Sequence, residues 1–452
     1  MNSKKEIFES LPVPKALATL AIPSIISQVI TLIYNLADTW FIGQTNDPYK
    51  IAAVSLTFML YFLTNALANM FGVGGGSLIS RLMGKGFSDE AKKVSALSFY
   101  GTIMVAGCYS LICLIFMNPL LYLLGASENT IEYASSYTLW VVILGGVPVT
   151  LSSVMAHLLR SEGYARQASF GLSLGAIINI ILDPVFMFVL LPEGKEVTGA
   201  AIATMLSNVS ALIFFGVMYY NLRKKIIISV SPVHLKGSSK YLKEIISVGF
   251  PSSLSSILSG VATSVLFSLT AGYGDIQLAA MGIVRKIDML PMNVGMGLCQ
   301  GMMPLVAYNY SSGNYKRMHE SANFARICGM GFACICIAVY QCFAKGIIGL
   351  FIDDAETIEM GVYFLRICCL AVPLMICNFQ MTYTFQAMGK GIESLFLAAC
   401  RQGIINIPLL FILNSSLGIV GLAWNQFVSD GLTLLLSLML YRKINKTLKA
   451  AD

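Results

Sequence analysis

Residues 20–42 read LAIPSIISQVITLIYNLADTWFI, twenty-three positions with a single charged side chain, Asp38. At 1.5 Å per residue such a stretch, wound as a helix, crosses the roughly 30 Å hydrocarbon core of a bilayer. A barrel strand would instead alternate apolar and polar residues over about ten positions. Runs of the same kind recur outward from it to the end of the chain. They cover 16–42, 52–80, 95–117, 134–159, 168–191, 198–221, 244–271, 279–309, 322–344, 360–387, 394–414 and 418–441, twelve in all. The chain of 452 residues is 56% hydrophobic and 12% charged, with a mean hydropathy of +0.74. Soluble domains carry about 25% charged residues. The expected fold class is therefore an all-α integral membrane protein with twelve transmembrane helices. The leading MNSKKEIFESLPVPKALATL has acids, two prolines and no small-residue cleavage site, so it is not read as a signal peptide.

The distribution of charge explains the net +7 without nucleic acid. With the N-terminus in the cytoplasm, the outer loops hold only Lys50, Lys195 and Lys345 of thirty basic residues, against ten acids. The inner side collects most of the others, among them Arg81, Arg160, Arg317, Arg326, Arg401 and the run Arg223, Lys224, Lys225. This is the positive-inside pattern, with both termini cytoplasmic and a multi-pass protein of the cell's inner (plasma) membrane. GVGGGS at 72–77 lacks the Gly-Lys-Ser/Thr ending of a phosphate-binding loop and reads as close helix packing, so no nucleotide is expected. Eleven cysteines without a CxxC read mostly as buried thiols acting as small apolar side chains, and the three histidines lie far apart without metal-ligand spacing.

The chain is duplicated. LAIPSIISQ (20–28) matches VGFPSSLSS (248–256), and GVPVTLSSVMAHLLRSEGYARQ (146–167) matches AVPLMICNFQMTYTFQAMGKGI (371–392). IINI occurs at 177–180 and again at 404–407. The polar, basic RKKIIISVSPVHLKGSSKYLK at 223–243 separates the copies. The expected organisation is a six-helix lobe over 1–222, a cytoplasmic linker over 223–243, and a second six-helix lobe over 244–452. Six spans per copy give parallel repeats, a transporter architecture with the substrate site between the lobes. Pro23, Pro148, Pro184, Pro251, Pro291, Pro304, Pro373 and Pro408 fall within spans and favour kinks.

Carboxylates inside apolar spans are costly and usually functional. Asp38 and Asp183 are two such acids, and Asn179 shares a helix face with Asp183, four residues away. The second copy has apolar residues at the matching positions. Two acids in a low-dielectric space either share a proton or take up a cation. With the Asn179 amide and the Thr204 hydroxyl they form a candidate site for Na⁺ or H⁺, and the residues do not separate the two ions. Tyr34, Asn35 and Ser153 are candidate substrate-lining residues. For Arg285, Lys286, Asp288 and Arg366, an internal ion pair is favoured over a wet cavity. Asp430, whose repeat mate is Asn208, reads as a polar packing position.

Several motifs together resemble the multidrug and toxic compound extrusion (MATE) family over about residues 15–441. They are DTWFIGQ (38–44), LRSEGYARQ (159–167), NIILDPVF (179–186), GAAIATMLS (199–207), PMNVGMGLCQGMMPLVAYNYSSGN (291–314) and FQAMGKG (385–391). The resemblance implies two six-helix lobes, alternating access, and export of cationic or amphipathic small molecules against inward Na⁺ or H⁺. In the branch with its cation site in the N-terminal lobe, the acid, the Asn-x3-Asp pair and the threonine match Asp38, Asn179, Asp183 and Thr204. Ser153 and Ala156 stand where members often carry asparagine. No cofactor beyond the coupling ion is expected, and the partners are small-molecule substrates and membrane lipid around a monomer. A lipid-linked substrate flippase of the same superfamily is the nearest alternative. An integral membrane lipid-phosphate enzyme is disfavoured, because the short basic cytoplasmic loops lack paired acids or histidines.

Overall fold

The computed structural model describes residues 2–45 and 47–449, apart from the side chains of residues 2–4, 445 and 447–449. The outer limits of the two expected lobes, residues 1 and 452, lie outside the described residues. No strand occurs among the described residues. A short helix, α1 (Asn2–Glu9), precedes the first half of the fold. That half contains α2 (Val13–Gly43), α3 (Pro48–Gly84), α4 (Ser88–Ile115), α5 (Met117–Leu123), α6 (Ile131–Thr138), α7 (Gly146–Ser161), α8 (Ala165–Val185) and α9 (Glu196–Leu222). The second contains α10 (Leu242–Ala271), α11 (Asp275–Ser311), α12 (Tyr315–Gly349), α13 (Ala355–Cys368), α14 (Val372–Ala387), α15 (Gly391–Ala399), α16 (Asn406–Leu417) and α17 (Ile419–Lys449).

Among the described residues, ten helices are long and apolar enough to cross a membrane, and the pair α6–α7, bent by 43°, makes eleven. The helix α11 is also long enough, at 37 residues. Arg285, Lys286, Asp288 and its two prolines lower its hydropathy, yet it corresponds to the eighth expected span. Each of the twelve apolar runs thus lies on a helix or a broken helix. Near the end of the described chain Tyr441 bonds His319 of α12, whose Arg317 reaches the Phe8 carbonyl of α1, so the first and last described helices meet on one side, called here the terminal face.

Prolines account for most of the breaks. A proline has no N–H and crowds the carbonyl four residues earlier, so the ladder must re-register one turn upstream. A π turn over Leu139–Leu144 precedes Pro148, and Gly145 N–H reaches back to Trp140 O at 2.9 Å. A second π turn, Cys400–Ile404, precedes Pro408, and a 3₁₀ turn, Cys369–Ala371, precedes Pro373. The π turn Phe186–Leu190 follows Pro184 instead. These irregularities fall at repeat-related places, Pro148 with Pro373 and Pro184 with Pro408.

Small residues draw the halves together toward the terminal face, where α3 meets α10 and α2 meets α11. A methyl group at Gly249 would overlap Met70 O, and one at Gly74 would overlap Ile245 O. On the other seam, methyls at Gly297 and Gly301 would strike the backbone of Ile25 and Ala21. The GVGGGS run therefore packs on several neighbours, with Gly72 against His157 and Gly75 against Ser98 Oγ. In lipid such close van der Waals packing, rather than hydrophobic exclusion, drives helix association.

The terminal face is further tied by polar contacts. The helix α1 lays Phe8, fully buried, against Leu305 and Tyr308 of α11. Arg317 of α12 donates to Phe8 O (2.7 Å), Leu11 O (2.6 Å) and Ile7 O (3.1 Å). The segment between the halves is held by Glu162, which accepts from the N–H groups of Ile227 (2.6 Å) and Ile228 (3.3 Å).

Candidate functional site

The four residues expected to bind a cation lie on three helices of the first half, α2, α8 and α9. On α8, Asn179 and Asp183 share one face, buried at 1% and 0% exposure, while Ile177 and Ile181 point the other way and are exposed. That face meets α9 across small residues: a Cβ at Gly175 would contact Ala211 and Ser207 O, and one at Gly199 would press on Phe186 and Met187. The close approach brings Thr204, also buried, to the Asn179 side chain. Amide oxygen and nitrogen are assigned from the bonding pattern. In the orientation that satisfies both, Asn179 Nδ2 donates to Asp183 Oδ2 (2.9 Å), and Oδ1 accepts from the Thr204 hydroxyl (3.2 Å) and N–H (3.1 Å).

Asp38 comes from α2, which packs along α8, and it is close enough for its charge to act on Asp183. Its Oδ1 is buried with no hydrogen-bond partner. Neither Asp38 nor Asp183 has a Lys, Arg or His within salt-bridge distance among the described residues. Two neighbouring carboxylates, Asp183 fully buried and Asp38 partly so, and an orphaned acceptor leave negative charge unbalanced. The oxygens present suit a monovalent hard cation or a proton. No group of three His, Cys, Asp or Glu capable of holding a metal occurs among the described residues.

Three tyrosines surround the acids. Tyr34, one turn before Asp38, lies within electrostatic range of Asp38, Asp183, Tyr61 and Tyr137. Tyr61 of α3 and Tyr137 of α6 were not among the sequence candidates, because a tyrosine in an apolar span reads equally as interfacial packing. Their signal was the same as that of Tyr34, an aromatic hydroxyl well inside a span. Asn35 is exposed, and its carbonyl accepts from Thr39. Ser153 is half-buried on α7, with no hydrogen bond to the acid cluster among the described residues. A mostly apolar cavity of about 660 Å³ runs between α2 and α8, lined by Ile22, Ile26, Phe170 and Ile177 and ending at Arg166 and Ser169.

The second half answers differently. Asp430, fully buried, accepts from Arg401 Nε at 2.6 Å and Nη2 at 3.4 Å, from Gln426 at 2.9 Å and from Asn378 at 3.3 Å. Arg401 is 6% exposed and its guanidinium stacks on Phe379. Arg401 and Arg160, counted with the basic residues of the inner side, are thus buried in the fold. The π turn that carries Arg401 turns it inward. Arg285 and Asp288, for which an ion pair was favoured, close none among the described residues, and Arg285 Nε and Asp288 Oδ1 are both buried without partners. Arg366 instead donates to Gln341 O at 3.3 Å, and Gln341 returns a bond to Arg366 O at 2.8 Å.

The MatE family model matches the chain twice, over residues 23–185 and 251–412. The multidrug export protein MepA of Staphylococcus saprophyticus is 32% identical over 433 residues, 96% of this chain and 94% of that protein. A solved outward-facing conformation of a multidrug resistance MATE family transporter of the MOP superfamily superposes with a TM-score of 0.92 at 25% identity, covering 100% of this chain and 99% of that one. A MATE crystal structure in complex with MaD3S gives 0.92 at 25% identity over 98% of each chain. A family model that covers both halves, and a relative matched over nearly its full length, make this chain a member of the MatE family, whose proteins are transporters and not enzymes.

Proposed function

We propose that the protein is a multidrug exporter that moves cationic or amphipathic organic compounds in exchange for Na⁺ or H⁺. It would sit in the inner (plasma) membrane as a monomer of two six-helix lobes, 1–222 and 244–452 about the 223–243 linker, with its terminal face cytoplasmic. The observation that carries the coupling role is the contrast between the halves. Asp430 has a built-in counter-ion in Arg401, whereas Asp38 and Asp183 have none and depend on a charge from outside.

The Asn179 amide ties ion binding to geometry. With Asp183 ionised, Nδ2 donates to the carboxylate and Oδ1 accepts from Thr204. Once Asp183 is protonated or a cation lies against it, the amide gains by turning its oxygen toward Asp183. That turn changes what α9 offers to α8, and Asp38 on the proline-bearing α2 feels the lost charge. Tyr34, Tyr61 and Tyr137 keep water from the pair while offering hydroxyls. Substrate, lined in this reading by Tyr34, Asn35 and Ser153, leaves on the far side, and the lobes then re-close. The contacts at Gly74, Gly249, Gly297 and Gly301 belong to the state closed at the cytoplasm. The Na⁺ site of this proposal comprises Asp38, Asn179, Asp183 and Thr204.

The test is efflux of a fluorescent cationic dye from proteoliposomes under separately imposed Na⁺ and H⁺ gradients. One gradient should drive efflux in the native protein, and neither should in Asp38→Asn at equal reconstitution. Normal coupled efflux by Asp38→Asn would overturn the coupling role, and efflux without any gradient would overturn exchange.

A further inference from the structure

A second polar site lies between the halves, apart from the acid cluster. A small cavity, about 20 Å³, is enclosed by α3, α7, α11 and α14. From the first half it receives Arg160 and His157, and from the second Gln300 and Tyr383. Arg160 is 3% exposed, and its Nε and Nη2 have no hydrogen-bond partner. No carboxylate lines the cavity. The Oε1 of Gln300 is likewise buried and unpartnered, and Tyr383 lies within range of both Gln300 and Arg160.

Two glycines of α3 make the space. A methyl at Gly72 would fall 2.7 Å from His157 Cδ2, and one at Gly76 would fall 3.3 Å from His157 O. The duplication adds a second indication. With Gly163 over Gly389, His157 stands over Tyr383 and Arg160 over Gln386, itself buried with an unpartnered Oε1. Pseudo-equivalent positions thus meet at the seam, and only one of them carries charge. A buried guanidinium with neither a carboxylate nor a complete hydrogen-bond set is costly unless an anion joins it.

We infer that this cavity binds one small monovalent anion of the halide class. The anion is held by the Arg160 guanidinium and the Tyr383 hydroxyl, with the Gln300 amide turned to present its NH₂ group. Space for little more than a water molecule excludes carboxylated or phosphorylated ligands. Because the donors come from both halves, the anion is bound only while the seam is closed, and it adds to the stability of that state by mass action.

The experiment compares thermal unfolding of the purified protein in sodium chloride, sodium bromide and sodium gluconate at equal Na⁺ and ionic strength. It is paired with the anomalous signal of bromide in crystals. A saturable rise in unfolding temperature with either halide, absent in gluconate and lost in Arg160→Gln, is expected, together with a bromide peak beside Arg160. If Arg160→Gln does not fold, the native protein's halide titration and its bromide peak decide alone. Equal stability in the three salts, with density at Arg160 that gives no anomalous signal, means a water site and overturns the inference.

Discussion

Asp183 and Asp430 are both fully buried, yet only Asp430 has a basic partner. The difference predicts opposite responses to mutation. Arg401→Leu strands an ionised Asp430 with only the neutral donors Asn378 and Gln426, and breaking a buried pair from one side costs about 3–5 kcal/mol. Replacing both, Arg401→Met with Asp430→Leu, should recover most of that loss, because no charge is left unpaired. Thermal unfolding in detergent checks the cycle, and a double variant no more stable than Arg401→Leu would contradict it. Asp183→Asn removes a charge that has no basic partner, so its unfolding temperature should hold or rise while gradient-driven efflux disappears. The acid cluster was legible because a carboxylate in an apolar run is conspicuous. Arg401 was not, since arginine near the end of a span reads as a loop cation until its turn is seen to face inward.

At the scale of elements, the twelve helices were legible from run length alone, even α11, whose charges weaken its hydropathy. Four of the eight prolines in spans, Pro148, Pro184, Pro373 and Pro408, marked departures from regularity, whereas Pro23, Pro251, Pro291 and Pro304 lie inside uninterrupted helices. The kind of departure depends on which carbonyl loses its partner and what the neighbours then demand. The turn Cys400–Ile404 shows the consequence. In an isolated helix, Pro408→Ala would restore an N–H to the Ile404 carbonyl and gain about 3 kcal/mol of intrinsic propensity. Here, absorbing the extra residue of the π turn rotates one side of the helix by about 100° relative to the other. That rotation carries Arg401 away from Asp430. Pro408→Ala should therefore lower the unfolding temperature, and a higher one would show that the π turn does not set the pair. Gly249 is a simpler case: Gly249→Val places branched carbons against Met70 O, so the seam between α3 and α10 cannot close as it does here. Expression with slowed efflux is the expected result.

Under the proposed function, the two seams and α1 in the whole molecule would act on one equilibrium, that between closed and open at the terminal face. The helix α1 precedes the first half in sequence but is bonded to the second, through Arg317 to the carbonyls of Ile7 and Phe8 and of Leu11 just beyond it, and through Asn309 to Phe8 O at 3.2 Å. Nothing in the charge pattern distinguishes Arg317 from its exposed neighbour Lys316, so this tie emerges only when α1 is folded back on α12. Charge-assisted bonds to carbonyls are worth about 1.5–3 kcal/mol each when buried, and Arg317 is only half-buried. A net bias of about 1–2 kcal/mol toward the closed face is therefore reasonable, a factor of roughly 5–30 in the ratio of states. Arg317→Met keeps the length and apolar stem and removes the donors. With spin labels at the exposed positions Lys85 and Lys316, one on each half, the native protein should show mainly the short distance of the closed face. In Arg317→Met a longer distance should grow at its expense, while the Asp38→Asn variant tests whether the same shift answers to the proposed cation site. A distance distribution unchanged by Arg317→Met would mean that the glycine seams alone hold the face closed and that α1 rides on them.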